Sequence, residues 1–295
     1  MSKTNKNITK PLFMWAGGKT KMIKFYQESG IMPDKVDTYI EPFFGGGAMF
    51  LHVMKTYNPS KVVINDINAE LTNLYTAIKT DVGSFIATLN VLQARYLPLD
   101  KTKRKEYFYE LREEYGSDYS KWTSTEESAH LYFLMKTAFN GIWQTTKASK
   151  GRFATPAGLL NQTDKVYEED IVRQWHTLLQ NATITNVDWR TVMQNNPEIP
   201  NTFYFLDPPY RGSFTSYSQT FNDTDQTDLV TFAKSVSNKS KVLLCNDDTG
   251  DSFFQNLQGE LKIETYNLKH TAGRRKTNDD GSKEAKAVDE IVLHN

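Results

Sequence analysis

Residues 37–66 read DTYIEPFFGGGAMFLHVMKTYNPSKVVIND. DTYIEPF has the make-up of a strand, FGGGAMF is a glycine turn leading into a helical run that reaches Tyr57, and KVVIND is a second strand after the breaker Asn58-Pro59. Strand, turn, helix and strand in this order form a βαβ unit, which predicts a parallel, doubly wound sheet. Glycines between a strand and a helix allow a tight turn and let a ligand approach the backbone beside the helix N-terminus. Roughly 20 residues further on, the second strand ends in Asp66, where folds of this kind place an acid on ribose hydroxyls. Turn, strand and terminal acid together predict an adenosine-containing cofactor. The glycine spacing is not G-x-G-x-x-G, and Glu41 would repel a pyrophosphate, which disfavours NAD. A carboxylate at that place suits a cofactor with a cationic end, such as the sulfonium and ammonium of S-adenosylmethionine.

Outward from this unit the pattern changes. From about Glu70 to Tyr167 the chain is helical and polar: LTNLYTAIKT, VGSFIATLNVLQARY, RKEYFYELREEYG and ESAHLYFLMKTAF all carry apolar residues at helical spacing. The stretch NGIWQTTKASKGRFATPAGL that follows has the form of a β-hairpin. From Ile184 strands and helices alternate again. NTFYFLDPPY is a strand running into a loop, a helix begins near Thr224, KVLLCNDD is a buried strand, and LKIETYNLKH with AVDEIVLHN forms a terminal hairpin. The expected fold is therefore α/β, Rossmann-like, with a catalytic domain from residues 1–68 and 167–295. A mainly helical insertion at 69–166, containing the β-hairpin, interrupts it.

Lys+Arg and Asp+Glu balance at 35 each, so net charge does not announce a polyanionic partner. The basic residues are nevertheless clustered, at Lys101 to Lys105, at Lys147, Lys150 and Arg152, and at Lys269, Arg274, Arg275 and Lys276. One cysteine, Cys245, excludes a disulfide framework and a cysteine-rich zinc site. It lies in an apolar strand and is expected to be a buried structural thiol. The five histidines show no metal-ligand spacing, and no metal is expected. No apolar run is long enough to span a bilayer and the N-terminus lacks a signal-peptide core, which predicts a soluble cytoplasmic protein without a membrane partner. No obligate protein partner is evident.

Asp207-Pro208-Pro209-Tyr210 follows the strand TFYFL. Two prolines fix φ, hold the preceding residue extended and remove two N–H donors, leaving a stiff loop with carbonyls to offer. A carboxylate, a rigid carbonyl and an aromatic ring at a strand's carboxyl end suit methyl transfer to an aromatic amine. The lone pair of adenine N6 is delocalised into the ring and is a poor nucleophile. The Asp207 carboxylate and the Pro208 carbonyl can bind both N6 hydrogens and favour a more tetrahedral nitrogen, while Tyr210 stacks on a base that has left the duplex.

With these residues in place, the chain resembles the Dam-type (D12 class, alpha group) DNA adenine-N6 methyltransferases over nearly its whole length. Matching landmarks occur in the family's order: Trp15-Ala16-Gly17-Gly18-Lys19, Glu41 to Gly47, Asn65 to Asn68, Phe139-Asn140-Gly141, Pro156 with Gly158, Asp207 to Tyr210, and Phe214 to Tyr217. The resemblance implies S-adenosylmethionine as cofactor, contacted by Trp15, Gly17, Gly18, Lys19, Asp66 and Asp207, with Glu41, Phe43, Gly45 and Gly47 around its methionine end. It implies double-stranded DNA as partner. Phe139, Asn140, Gly141 and the hairpin residues Trp143, Gln144, Lys147, Arg152 and Pro156 would face the DNA, Phe214 and Tyr217 would close over the flipped adenine, and Arg274 and Arg275 would meet phosphates. Trp143 reads equally as a DNA-touching hairpin aromatic or as a packing residue. Members that read GATC carry a basic residue before the tryptophan and an arginine shortly after Asn-Gly, whereas this chain has Met14 and Gln144. Arg reads guanine and Gln prefers adenine, so the expected site is short, GATC-like and altered in its outer bases, unless Lys147 or Arg152 substitutes. Competing readings are the same chemistry on cytosine N4 or on RNA, and an idle DNA-binding module. The intact glycine turn and Asp207 argue against the module.

Overall fold

The structure, a computed structural model, describes residues 10–15, 19–117, 121–140, 142–147, 149–196, 199–212, 221–269, 276–277, 283–284 and 287–295. In chain order the elements are α1 (Thr20–Glu28), β1 (Thr38–Glu41), α2 (Ala48–Thr56), β2 (Lys61–Asn65), α3 (Ala69–Thr80), α4 (Val82–Tyr96), α5 (Lys101–Gly116) and α6 (Ser124–Thr137). There follow α7 (Glu169–Leu179), β3 (Ala182–Thr185), α8 (Trp189–Asn195), β4 (Thr202–Leu206), α9 (Asp223–Val236), β5 (Lys241–Asp247) and α10 (Phe253–Leu257). The chain ends with β6 (Lys262–Lys269), β7 (Lys276–Thr277), β8 (Lys283–Glu284) and β9 (Ala287–His294).

Seven strands form one sheet in the order β3-β2-β1-β4-β5-β9-β6. The first five are mutually parallel, and β9 enters antiparallel between β5 and β6. The parallel strands are nearly continuous apolar runs; every residue of β1 and β4 is buried. Such strands need cover on both faces. One face packs into a large cluster that includes Phe50, Tyr75, Trp175, Phe203 and Phe205, and that continues among α3, α4, α5 and α6. The other packs Ile40, Tyr204, Leu206 and Leu244 against α8 and α9. From β1 the chain winds outward to β2 and β3, whereas β4 and β5 lie on the opposite side, so order reverses between β1 and β4. Their register, Ile40 beside Tyr204, brings the two strand ends together. Open α/β sheets bind ligands in that crevice.

The βαβ unit and the terminal hairpin stand where the sequence predicts them. Helix α9 starts slightly earlier than Thr224: Asn222 is its N-cap, accepting from the Thr224 and Asp225 N–H groups, with Asp225 completing a capping box. Helix α7 is not singled out by the sequence reading, and it matters. Its Trp175 is fully buried, stacks on Tyr75 at 5.6 Å and abuts Phe44 and Phe50. Among the described residues, no helix is long and apolar enough to cross a membrane.

Candidate active site

The glycine turn leaves β1 and enters α2. Gly47 has φ +66°, and a Cβ there would stand 2.7 Å from Phe44 and 2.8 Å from Trp175. Gly45 has φ +48°, and its Cβ would meet the Trp15 indole at 2.6 Å. Only glycine fits a left-handed backbone this closely covered. The turn is latched from two sides. The Tyr75 hydroxyl donates to the Gly45 carbonyl at 2.8 Å, and the Gly45 N–H donates to Asp66 Oδ2 at 2.8 Å. Asp66 Oδ1 accepts the Asn68 N–H at 2.9 Å. Burial pushes the Asp66 carboxyl up, and these two backbone donors pull it back. A carboxylate oxygen offers two lone pairs, so acceptor capacity remains on Asp66 for a ligand.

Glu41 ends β1 and is 2% exposed. Burial holds its carboxyl well above the ordinary range; the Tyr39 hydroxyl, donating at 2.7 Å, opposes this, and the nearby charges of Asp207 and Asp66 reinforce it. Phe43 turns toward the opposite face of the sheet, against Trp189 and Phe221, the latter directly after residues 213–220.

At the end of β4, Asp207 Oδ1 lies 3.1 Å from the Lys19 ammonium. Lys19 is buried and also stands 3.5 Å from Glu290 Oε1 and 4.6 Å from the centre of the Tyr210 ring. Burial opposes the charge on Lys19, but Asp207 and then Glu290 outweigh it and hold its pKa above the ordinary lysine value. Asp207 is held above the usual carboxylate range: burial raises it, Lys19 lowers it and Glu290 raises it again. The Tyr210 hydroxyl donates to Glu290 Oε1 at 2.9 Å. Behind the prolines, the Gln226 amide donates to the Pro209 carbonyl at 2.9 Å and accepts from Asn246 Nδ2 at 3.1 Å. Asn246 Oδ1 in turn accepts the Arg211 N–H at 2.8 Å. The Arg211 guanidinium then ties the loop to Asp223, at 2.8 and 3.0 Å, and to Asp251. The loop is therefore fixed at both ends.

The sequence reading misses this supporting set of Glu290, Gln226 and Asn246. The available signals are weak: Glu290 is an acid within the strand AVDEIVLH, and Asn246 is an amide within KVLLCND.

The hairpin is marked by antiparallel bridges Ala138 to Ala157 and Thr145 to Phe153. Phe139 is 45% exposed and Asn140 has φ +52°; Pro156 is exposed and its carbonyl accepts the Phe139 N–H at 2.9 Å. The Gln144 and Lys147 side chains are exposed as well. Two residues expected at a DNA surface are packed inward instead. Trp143 is 6% exposed between Trp15, at 5.9 Å, and Phe153, at 5.2 Å, so the packing alternative is the one the structure takes. Arg152 bonds Glu127, lies 3.6 Å from Glu70 and stacks 4.3 Å over the Tyr115 ring. Glu70 Oε2 also accepts the Phe153 N–H at 3.1 Å. A guanidinium enclosed by two acids and an aromatic ring anchors the hairpin to α3, α5 and α6. Gly17, Gly18, Gly141, Phe214, Tyr217, Arg274 and Arg275 lie outside the described residues.

A family model described as D12 class N6 adenine-specific DNA methyltransferase matches residues 15–275. A Type II methyltransferase of Methanocaldococcus jannaschii, M.MjaIII, is 32% identical over 97% of this chain and 99% of its own length. A Type II methyltransferase of Paramecium bursaria Chlorella virus NC1A, M.CviBI, is 28% identical over 80% of this chain and 82% of its own. A DNA adenine methylase of Haemophilus influenzae is 26% identical over 81% and 80%.

The anchoring of Arg152 is open to direct test. Arg152→Ala is expected to lower the unfolding free energy by about 1–3 kcal/mol, since it leaves two partly buried acids without their partner and removes the stacking on Tyr115. Sequence preference on DNA is expected to be unchanged. A variant as stable as the parent in urea, with altered base preference, would assign Arg152 to base reading instead.

Proposed function

This chain belongs to the D12 class of N6 adenine-specific DNA methyltransferases, and from that premise we propose how its own residues carry the reaction. The observation that carries the reading is the placement of Asp207: it ends β4 beside the glycine turn of β1, with its carboxylate held by a buried lysine.

S-adenosylmethionine is the methyl donor on this reading, and the side chains at the crevice suit it. Glu41, Asp66, Asp207 and Glu290 face a region in which Lys19 is the partnering cation. Such an acidic site favours a ligand carrying a sulfonium and an ammonium and disfavours a pyrophosphate. Asp66 and Trp15 would hold the adenosine end, and Glu41 with the glycine turn the methionine end. When bound, S-adenosylmethionine supplies a methyl group activated by its positive sulfur.

The protein's part is to present the amine. The target adenine leaves the duplex and enters the crevice. Its two N6 hydrogens are taken by Asp207 and by the Pro208 carbonyl, the Pro209 carbonyl being engaged by Gln226. With both hydrogens bound, the nitrogen lone pair is localised and aimed rather than shared with the ring. The base stacks on the Tyr210 face away from Lys19, whose ammonium covers the other. When the methyl group leaves its sulfur for N6, breaking the sulfonium–carbon bond as the N–C bond forms, the proton that N6 sheds would pass to the Asp207 carboxylate. Orientation and fixed electrostatics supply the rate.

Residues 69–166 are the recognition insertion on this reading, and residues 1–68 with 167–295 the catalytic domain. Phe139 and Asn140 at the base of the hairpin would enter the duplex, with Gln144, Lys147 and Pro156 beside them. Phe214 and Tyr217 are assigned to closing over the flipped base, and Arg274 and Arg275 to phosphates.

Asp207→Asn should reduce the single-turnover methylation rate by at least about a hundredfold, because the negative charge that strengthens the bond to one N6 hydrogen and the base for the departing proton are lost. Duplex affinity in a mobility assay should stay within about threefold of the parent. Near-parental turnover would remove Asp207 from the mechanism. At the recognition surface, Gln144→Arg should move preference at an outer base of the target toward guanine, with about 1–3 kcal/mol of discrimination. Unchanged methylation contexts in sequenced substrate would refute that role for Gln144.

A further inference from the structure

Glu290 is a glutamate inside β9, 1% exposed, beside the buried Ile291, Val292 and Leu293. A carboxylate so placed is costly unless paired and hydrogen-bonded. Here a single oxygen, Oε1, gathers three partners: the Tyr210 hydroxyl at 2.9 Å, the Tyr26 hydroxyl at 3.4 Å and the Lys19 ammonium at 3.5 Å. Lys19 reaches Asp207 on its other side at 3.1 Å. One ammonium thus stands between two carboxylates, and only Asp207 belongs to the loop that receives the amine.

We propose, on the reading above, that Glu290 is a positioning residue for methyl transfer, acting through Lys19 and Tyr210. By holding part of the Lys19 charge it prevents full neutralisation of Asp207, which stays a strong acceptor for the N6 hydrogen and a base for the departing proton. By accepting from Tyr210 it fixes the ring on which the base stacks. Without Glu290, the lysine would pair with Asp207 alone, and an ammonium donating fully to that carboxylate competes directly with the amine for its lone pairs.

A purely scaffolding acid would do less. The hydroxyls of Tyr26 and Tyr210 could be satisfied by a neutral amide oxygen, so the charge on Glu290 is needed only if it acts on Lys19 and Asp207. The groups facing it from the surrounding elements are Lys19 before α1, Tyr26 on α1, Asp207 and Tyr210 after β4, Cys245 and its strand-mate Asp247 on β5, and Tyr266 on β6. Lys19 is the cation among them. Consistent with the geometry, the negative charge of Glu290 raises the Asp207 carboxyl. Removing that charge should lower it, so the Asp207 carboxylate should persist to more acid pH.

Glu290→Gln keeps an acceptor for both tyrosines and removes the charge. Single-turnover methylation at saturating S-adenosylmethionine and duplex DNA should fall by about tenfold to a hundredfold, less than the loss on removing a direct transition-state contact. Cofactor and DNA affinities should stay within about threefold. The acid limb of the rate–pH profile should move to lower pH, which a merely structural role would not produce. Unchanged rate and acid limb in a folded Glu290→Gln variant would overturn the proposal. A fall in rate with an unmoved limb would also overturn it, leaving only a structural role. If Glu290→Gln does not melt cooperatively, Glu290→Asp carries the test: it keeps the charge but withdraws it from Lys19 by one methylene, and should give a smaller change of the same sign in both readouts. Parental behaviour there would equally contradict the proposal. Should the unsubstituted protein fail to methylate adenine, the functional reading fails instead, and the two failures are distinguishable because that assay contains no variant.

Discussion

The buried ammonium of Lys19 draws together parts of the chain that are distant in sequence. It is contributed by the residue before α1 and stands between Asp207, at the end of β4, and Glu290, within β9, while covering one face of Tyr210. Each carboxylate would be costly to bury alone, and the lysine would be costly without them. The triad therefore requires that the amino-terminal segment, the centre of the sheet and the carboxyl-terminal hairpin be assembled together. The inserted antiparallel β9 gains a purpose from this. Placed beside β5, it carries Glu290 to Lys19 and Asp207, where a sheet ending at β5 would have no acid to share the lysine.

A second chain of contacts joins the glycine turn to the hairpin through one short stretch. Asp66 latches the Gly45 N–H, Asn68 caps α3, and Glu70 in the first turn of that helix receives Phe153 from the hairpin and stands beside Arg152. Three side chains within one short stretch thus hold the glycine turn, the helix itself and the hairpin. On the other flank, Gln226 and Asn246 hold the proline loop from behind, so the acceptors assigned to the amine rest on a fixed backbone.

Much of this is legible in the sequence, for particular physical reasons. The βαβ unit shows because glycines, breakers and apolar strands sit at short, ordered spacing; Gly45 and Gly47 prove to be required by left-handed backbone packed under Trp15 and Trp175. Asp207 to Tyr210 stands out because two prolines and an acid directly follow a buried strand, beside the glycine turn of β1. What stays hidden is partnership across the sheet. Nothing local ties Glu290 to Lys19, which lie at opposite ends of the chain, and nothing in KGRF distinguishes an arginine facing DNA from one folded back on Glu70 and Glu127. Trp143 is similarly ambiguous in sequence, and only the fold shows it buried against Trp15. Helix α7 escapes a reading built on motifs because its contribution, Trp175, is bulk beneath the glycine turn rather than chemistry.

The central claim is that this crevice methylates the exocyclic amine of adenine in duplex DNA. The most direct measurement uses S-adenosylmethionine with an isotopically labelled methyl group, unmethylated duplex DNA and the purified chain, followed by digestion to nucleosides and mass spectrometry. The account predicts that the label appears in N6-methyladenine and depends on Asp207. Label found in N4-methylcytosine, or no transfer to DNA by folded protein, would contradict it.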